Sequence, residues 1–199
     1  MPTDRRDLQH KLRRLAATQS GYFTAAQALD LGYSYPVQSY HTQKGNWRRV
    51  ARGIYRLPEW PVGDYDDLVR WTLWSRGLGV VSHDTAISVH DLGDVNPGRV
   101  HLTVPPGFRA KAKGVVLHHA ELAEGDAWER EGYRITTPLR TAVDAAASDL
   151  SLEQLADVVR NVSKLAPHTA PQQLIREAER RGHREALRME RALRQAGMA

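Results

Sequence analysis

Four arginines and no acid stand within residues 45–57, GNWRRVARGIYRL. Arg48, Arg49, Arg52 and Arg56 are interleaved with Trp47, Val50, Ile54, Tyr55 and Leu57. A guanidinium presents a planar fork of donors that matches phosphate oxygens. Just upstream, Tyr35, Gln38, Ser39, Thr42, Gln43 and Lys44 gather polar groups into residues 35–44. Gln can bond an adenine edge through two hydrogen bonds, and Ser or Thr can meet a base or a phosphate. The combined chemistry is that of gripping a duplex: backbone contacts from the arginines, base contacts from the polar run. The competing reading is a solvated basic hairpin on a small helical domain.

Other constellations carry less. Ser82, His83 and Asp84 are consecutive, and neighbouring residues point apart, whereas a nucleophilic triad needs three groups converging in space. A strand end that caps the next helix explains them better. His118 and His119 alternate across a strand, so they do not readily face one metal; His90 and His101 complete a conceivable set. No HExxH, P-loop or GxGxxG run supports a metal or nucleotide site. Without cysteine there is no disulfide, no thiol chemistry and no Cys-ligated zinc. Arg140 and Asp144, four apart, can pair on one helix face, either as an exposed ion pair or as part of a partner or scaffold contact. No catalytic residue, metal or cofactor is assigned.

The elements that must position the basic segment are legible from periodicity and caps. Leu8, Leu12 and Leu15 mark an amphipathic helix over residues 5–17, with Asp4 as its candidate cap. Thr24 caps a short Ala-rich helix that Gly32 stops. Ser34 and Pro36 open a third helix that runs to about Lys44. Residues 47–51 and 54–57 read as two strands around Arg52 and Gly53. Three helices and a basic hairpin make the order of a winged helix-turn-helix. In that frame the third helix enters the major groove with Tyr35, Gln38, Ser39, Thr42, Gln43 and Lys44 on its solvent face. Val50, Tyr55 and Leu57 anchor the hairpin and leave the arginines outward. Trp47 is out of phase with Val50 and fits the turn entering the strand.

Residues 57–64, LPEWPVGD, read as a linker. Beyond it, helices over 65–76 and 84–91 alternate with strands at 79–82, 99–105, 114–119 and 133–136. A basic loop, GFRAKAKG, occupies 107–114. Thr137 and Pro138 open a helix over 138–147, and Ser151 with Gln154 forms a capping box for a helix to about 165. Two helices close the chain near 171–181 and 184–195. The expected class is α+β: a winged helix-turn-helix over residues 1–60, then a mixed α/β domain over 64–199 that ends in helices.

Charge follows the same division. Residues 1–60 hold ten Lys/Arg against four Asp/Glu, whereas residues 61–199 hold eighteen against nineteen. An excess confined to the first third points to a polyanionic partner there. The N-terminus lacks a signal-peptide pattern, and no stretch is long and apolar enough for a bilayer. The expectation is a cytoplasmic protein with no membrane partner.

Three strings carry a resemblance. GYFTAAQALDLGYS followed by GNWRRVARGIYRL resembles the N-terminal winged helix of AbiEi-type antitoxins of bacterial toxin–antitoxin systems, with their Arg-Gly-(Val/Ile)-Tyr wing. VVSHDTAISVHDLGDVNPGRVHLTVP, at 80–105, resembles the start of that family's second domain. ITTPLRTAVDAAAS, at 135–148, is similar to its Thr-Pro-x-Arg-Thr-x-x-Asp element. The resemblance implies a transcriptional autoregulator and antitoxin that binds repeats in its own promoter and opposes a nucleotidyltransferase-like toxin. By position, Arg48, Arg49, Arg52 and Arg56 carry the DNA role. The alternative is a nuclease or nucleotide-processing enzyme in residues 64–165 with a winged helix for targeting; a protein–protein adaptor is the third reading.

Overall fold

The computed structural model describes residues 5–198. They form two units: residues up to Leu78 together with Glu129–Tyr133, and Gly79–Trp128 together with residues from Arg134 onward. The first unit extends past the expected linker and takes in a helix beyond it.

In the first unit, α1 (Arg5–Ala17) is followed by β1 (Tyr22–Thr24), α2 (Ala25–Leu31), α3 (Tyr35–Gln43), β2 (Arg48–Ala51), β3 (Ile54–Arg56) and α4 (Asp66–Trp74). The expected cap of α1, Asp4, lies outside the described residues. Thr24 and Gln27 form a reciprocal capping box on α2, two of whose otherwise orphaned N–H groups are thereby satisfied. Gly32 ends α2 at φ +109°, a left-handed conformation that glycine adopts without steric cost. At Gly21, φ +80°, a Cβ would stand 2.4 Å from Trp60 Cβ, so this turn excludes a side chain altogether.

The three strands order as β1-β3-β2, all antiparallel. β1 is not among the elements read from the sequence. Its pairing makes β3 the central strand rather than half of a free hairpin. The register of β2 on β3 slips between Arg49 and Ala51, a bulge that bends the outer strand. Leu12, Ala16, Phe23, Ala28, Tyr33, Trp47 and Leu57 form the core. Burying large aromatic and aliphatic groups of this kind contributes about 1.5–3 kcal/mol each. The helix, strand, two helices and hairpin match the arrangement expected of a winged helix-turn-helix.

The second unit is built on β4 (Val80–Val81), α5 (His83–Val89), β5 (Val100–Val104), β6 (Val115–His119), α6 (Pro138–Ala146), α7 (Leu152–Leu165), α8 (Pro171–Glu179) and α9 (His183–Gln195). Strands β7 (Ala127–Arg130) and β8 (Tyr133–Thr136) complete a five-stranded sheet of order β6-β5-β4-β8-β7. Pairing is mixed: β4 runs antiparallel to β5 but parallel to β8, and β5 runs parallel to β6. Ser151 and Gln154 form the expected capping box on α7. Ile87, Leu92, Leu155, Val158, Leu174, Met189 and Leu193 lead an apolar core among the helices. The protein is therefore α+β. Among the described residues, no helix is long and apolar enough to cross a membrane.

Candidate nucleic-acid interface

Side chains on a helix recur about every 3.6 residues, and α3 sorts its residues accordingly. Gln38 marks the inward side: it is 1% exposed and donates through Nε2 to Tyr33 O at 2.8 Å and Ala25 O at 3.0 Å. The expectation that Gln38 faces a duplex is thus corrected: it ties α3 to the first residue of α2 and to the turn that follows that helix. Thr42, one turn on, is half-buried and donates through Oγ1 to Gln38 O at 2.9 Å. Tyr35, Ser39, Gln43 and Lys44 are exposed, and Gln43 Nε2 reaches Ser39 Oγ at 3.4 Å. Pro36, Tyr40 and Gln43 lie opposite Gln38, with Val37 and Lys44 on one shoulder of that face. Val37 and Tyr40 are absent from the residues singled out in the sequence, although the same periodicity that places Gln38 inward places them outward.

The wing divides similarly. Arg48, Arg49 and Arg52 are exposed, and no carboxylate of the described residues pairs with them. Arg48 and Arg49 are consecutive yet both exposed, at the start of the outer strand of the sheet. Arg56 is the second correction. It is 3% exposed and donates through Nη2 to Asp66 Oδ2 at 2.6 Å and to Pro61 O at 2.8 Å. Its guanidinium also lies 5.1 Å from the centre of the Tyr22 ring. Strand parity explains this: Arg56 and Ile54 lie on the face of β3 opposite Tyr55. Tyr55 packs on the core, whereas the Arg56 face meets α4, which supplies Asp66.

Trp47 joins the two pieces. Its ring stacks on His41 of α3, with centroids 4.8 Å apart and planes at 12°, and packs edge-on against Phe23 at 4.8 Å and Tyr33 at 5.1 Å. A residue at the mouth of the wing thus pins the helix beside it. Burial, followed by the charge of Arg5, lowers the pKa of His41, which favours the neutral ring against the indole. Asn46 Nδ2 lies 3.1 Å from His41 Nδ1.

In the second unit, the Ser82-His83-Asp84 run does not form a triad. Ser82 is fully buried; its Oγ accepts from Thr103 Oγ1 at 2.8 Å and lies 2.9 Å from His83 Nδ1. Asp84 approaches His101 at 4.0 Å. His83 stacks face to face on His118 at 3.4 Å, and His118 Nε2 meets His101 Nδ1 at 3.2 Å. Burial lowers both His83 and His118 to about 3, their histidine neighbours adding to the effect. Rings stacked in parallel do not aim lone pairs at a common point. Among the described residues, no group of three or more His, Asp or Glu side chains is arranged to hold a metal.

Arg140 and Asp144 are buried, not an exposed pair on a helix face. Arg140 Nε donates to Asp144 Oδ1 at 2.9 Å, and its Nη1 donates to Asp126. Burial raises Asp144, against the pull of Arg140. The pair closes the start of α6 onto the loop before β7. The basic loop lies beside one face of β6, where Val115, Leu117 and His119 alternate with Phe108, Arg109 and Lys111 around an open cavity of about 460 Å³.

Comparison with known proteins follows the same two-part division. Residues 10–58 match a family model described as a transcriptional regulator, AbiEi antitoxin. Residues 78–195 match a model described as the AbiEi antitoxin C-terminal domain. No curated protein matches the sequence. Among solved structures, the RV2827C protein from Mycobacterium tuberculosis is similar with a TM-score of 0.66 and 15% identity, over 95% of this chain and 76% of that one. At that identity the likeness is one of fold.

Proposed function

The chain belongs to the AbiEi antitoxin family, and from that premise we propose that it is a DNA-binding autoregulator whose winged helix reads repeats in its own promoter. Its second unit serves the antitoxin role, opposing a cognate nucleotidyltransferase-like toxin in the cytoplasm. One observation carries the DNA reading: the outward face of α3 and three carboxylate-free arginines of the wing belong to one compact unit tied together by Trp47. Residues 31–58 contain no Asp or Glu, so nothing in this segment repels a phosphate backbone. Tyr35, Ser39, Gln43 and Lys44 supply the groove contacts, with Thr42 at their edge. Arg48, Arg49 and Arg52 supply the backbone contacts. Gln38 and Arg56 support the site from behind.

The test is a gel shift of the gene's own upstream DNA across a salt series. Three phosphate contacts, from Arg48, Arg49 and Arg52, give a slope of log affinity against log salt of about −2.7. A shift insensitive to salt, or no shift, would refute the reading. The antitoxin half is tested by co-expression with the nucleotidyltransferase-like product of an adjacent reading frame. Growth rescue by the full chain is expected, and unrelieved toxicity would count against it.

A further inference from the structure

The outward face of α3 is not uniformly polar. Val37 is 41% exposed and Tyr40 is 47% exposed, side by side on a helix of nine residues that carries no acid. Single exposed apolar residues are ordinary. Here two of them occupy the face that the DNA reading turns toward the major groove, with Lys44 one turn from Tyr40. Tyr40 is also held in place. Its ring meets His41 edge-on at 5.6 Å, and His41 stacks on the buried Trp47. The ring is therefore presented by a chain of aromatic contacts that reaches the core, and ordering it on binding costs little side-chain entropy.

Resting on the DNA reading above, we propose that Val37 and Tyr40 are specificity-determining residues that read thymine methyl groups. The major groove offers one apolar mark, the C5-methyl of thymine, and an aliphatic or aromatic side chain is its complement. The neighbouring charges decide the class of partner. Residues 31–58 carry arginine, lysine and histidine but no Asp or Glu, so an apolar pair set in this field suits a polyanion that carries methyl groups. The preferred site accordingly holds thymine at the positions facing these two side chains. Ser39 and Gln43, on the adjacent part of the face, supply hydrogen bonds to the flanking bases.

The experiment selects duplexes from a random-sequence pool with the full chain, then remakes the selected duplex with deoxyuridine in place of thymine, one position at a time. Deoxyuridine pairs like thymine and lacks only the methyl. Loss of one buried methyl is expected to weaken binding about fourfold at one or two positions. Val37→Ala or Tyr40→Ala should weaken binding of the thymine duplex and abolish its preference over the deoxyuridine duplex. Both residues are exposed, so the variants keep the fold, checked by an unchanged thermal midpoint. Deoxyuridine tolerated at every position would overturn this inference while leaving the DNA reading intact. So would a methyl preference that both variants retain. A pool from which no duplex is enriched would overturn the DNA reading itself, and this inference with it.

Discussion

Arg56 Nη2 lies 2.6 Å from Asp66 Oδ2, and both side chains are almost wholly withdrawn from solvent. One arginine of the basic wing is thus internal, and its partner comes from the first turn of α4. The wing's charge splits into a part that binds the protein and a part that faces outward.

Breaking that pair leaves a buried charge uncompensated, which costs about 3–5 kcal/mol. Arg56→Ala and Asp66→Ala are each expected to lose that much in urea denaturation. The double variant Arg56→Met with Asp66→Leu should recover much of the loss, because it removes both charges and keeps the volume. DNA affinity of the fraction that stays folded should change little.

Arg49→Ala combined with Arg52→Ala should behave in the opposite way. Both side chains are exposed, and surface substitutions of this type shift stability by no more than about 0.5 kcal/mol. The salt slope of binding should flatten by about 1.8. An unchanged slope, measured by titration at four or more salt concentrations, would remove the wing from the contact.

On α3, Gln38 and Ser39 are adjacent but play different parts. Gln38→Ala strands two carbonyls inside the unit and should destabilise it by about 1–3 kcal/mol. Ser39→Ala should leave the unfolding midpoint in place and weaken DNA binding. Calorimetry and a binding titration on the same two variants separate these outcomes.

The histidine stack predicts acid sensitivity. His83 and His118 are lowered to about 3 in the folded protein, well below the usual 6.5. Between those values the unfolded chain binds more protons, so stability is lost as pH falls below about 6.5 and the loss levels off near about 3. From pH 7 to pH 5, His83 alone accounts for on the order of 2 kcal/mol. His118 adds less, since solvent screens its more open ring. Asp144 works in the opposite direction: its raised pKa lets the folded protein keep a proton that the unfolded chain releases, which offsets part of the loss as the pH falls. His83→Gln should flatten the dependence of the urea midpoint on pH over this range.

Much of the architecture was legible beforehand because its signals are local. The Thr24 and Ser151 caps, the Gly32 stop and the leucine spacing of α1 depend on residues within a few positions of each other, and the structure follows them. Strands β1 and β7 were not legible. Three residues of Tyr-Phe-Thr and four of Ala-Trp-Glu-Arg carry too little alternation to be distinguished from loop. The place of Trp47 is likewise not legible, since nothing in its own neighbours reveals a stack against His41.

The order of elements, the basic character of residues 45–57 and the family membership were set by composition and short-range pattern, which act along the chain without regard to what packs where. Which charges and polar groups remain free was decided by tertiary structure alone. Burial depends on partners outside a residue's own element: α4 supplies Asp66 to Arg56 on one face of β3, and Ala25 and Tyr33 take the hydrogen bonds of Gln38. A side chain's type states what it can bond; only its position in the fold states whether that bond is already made.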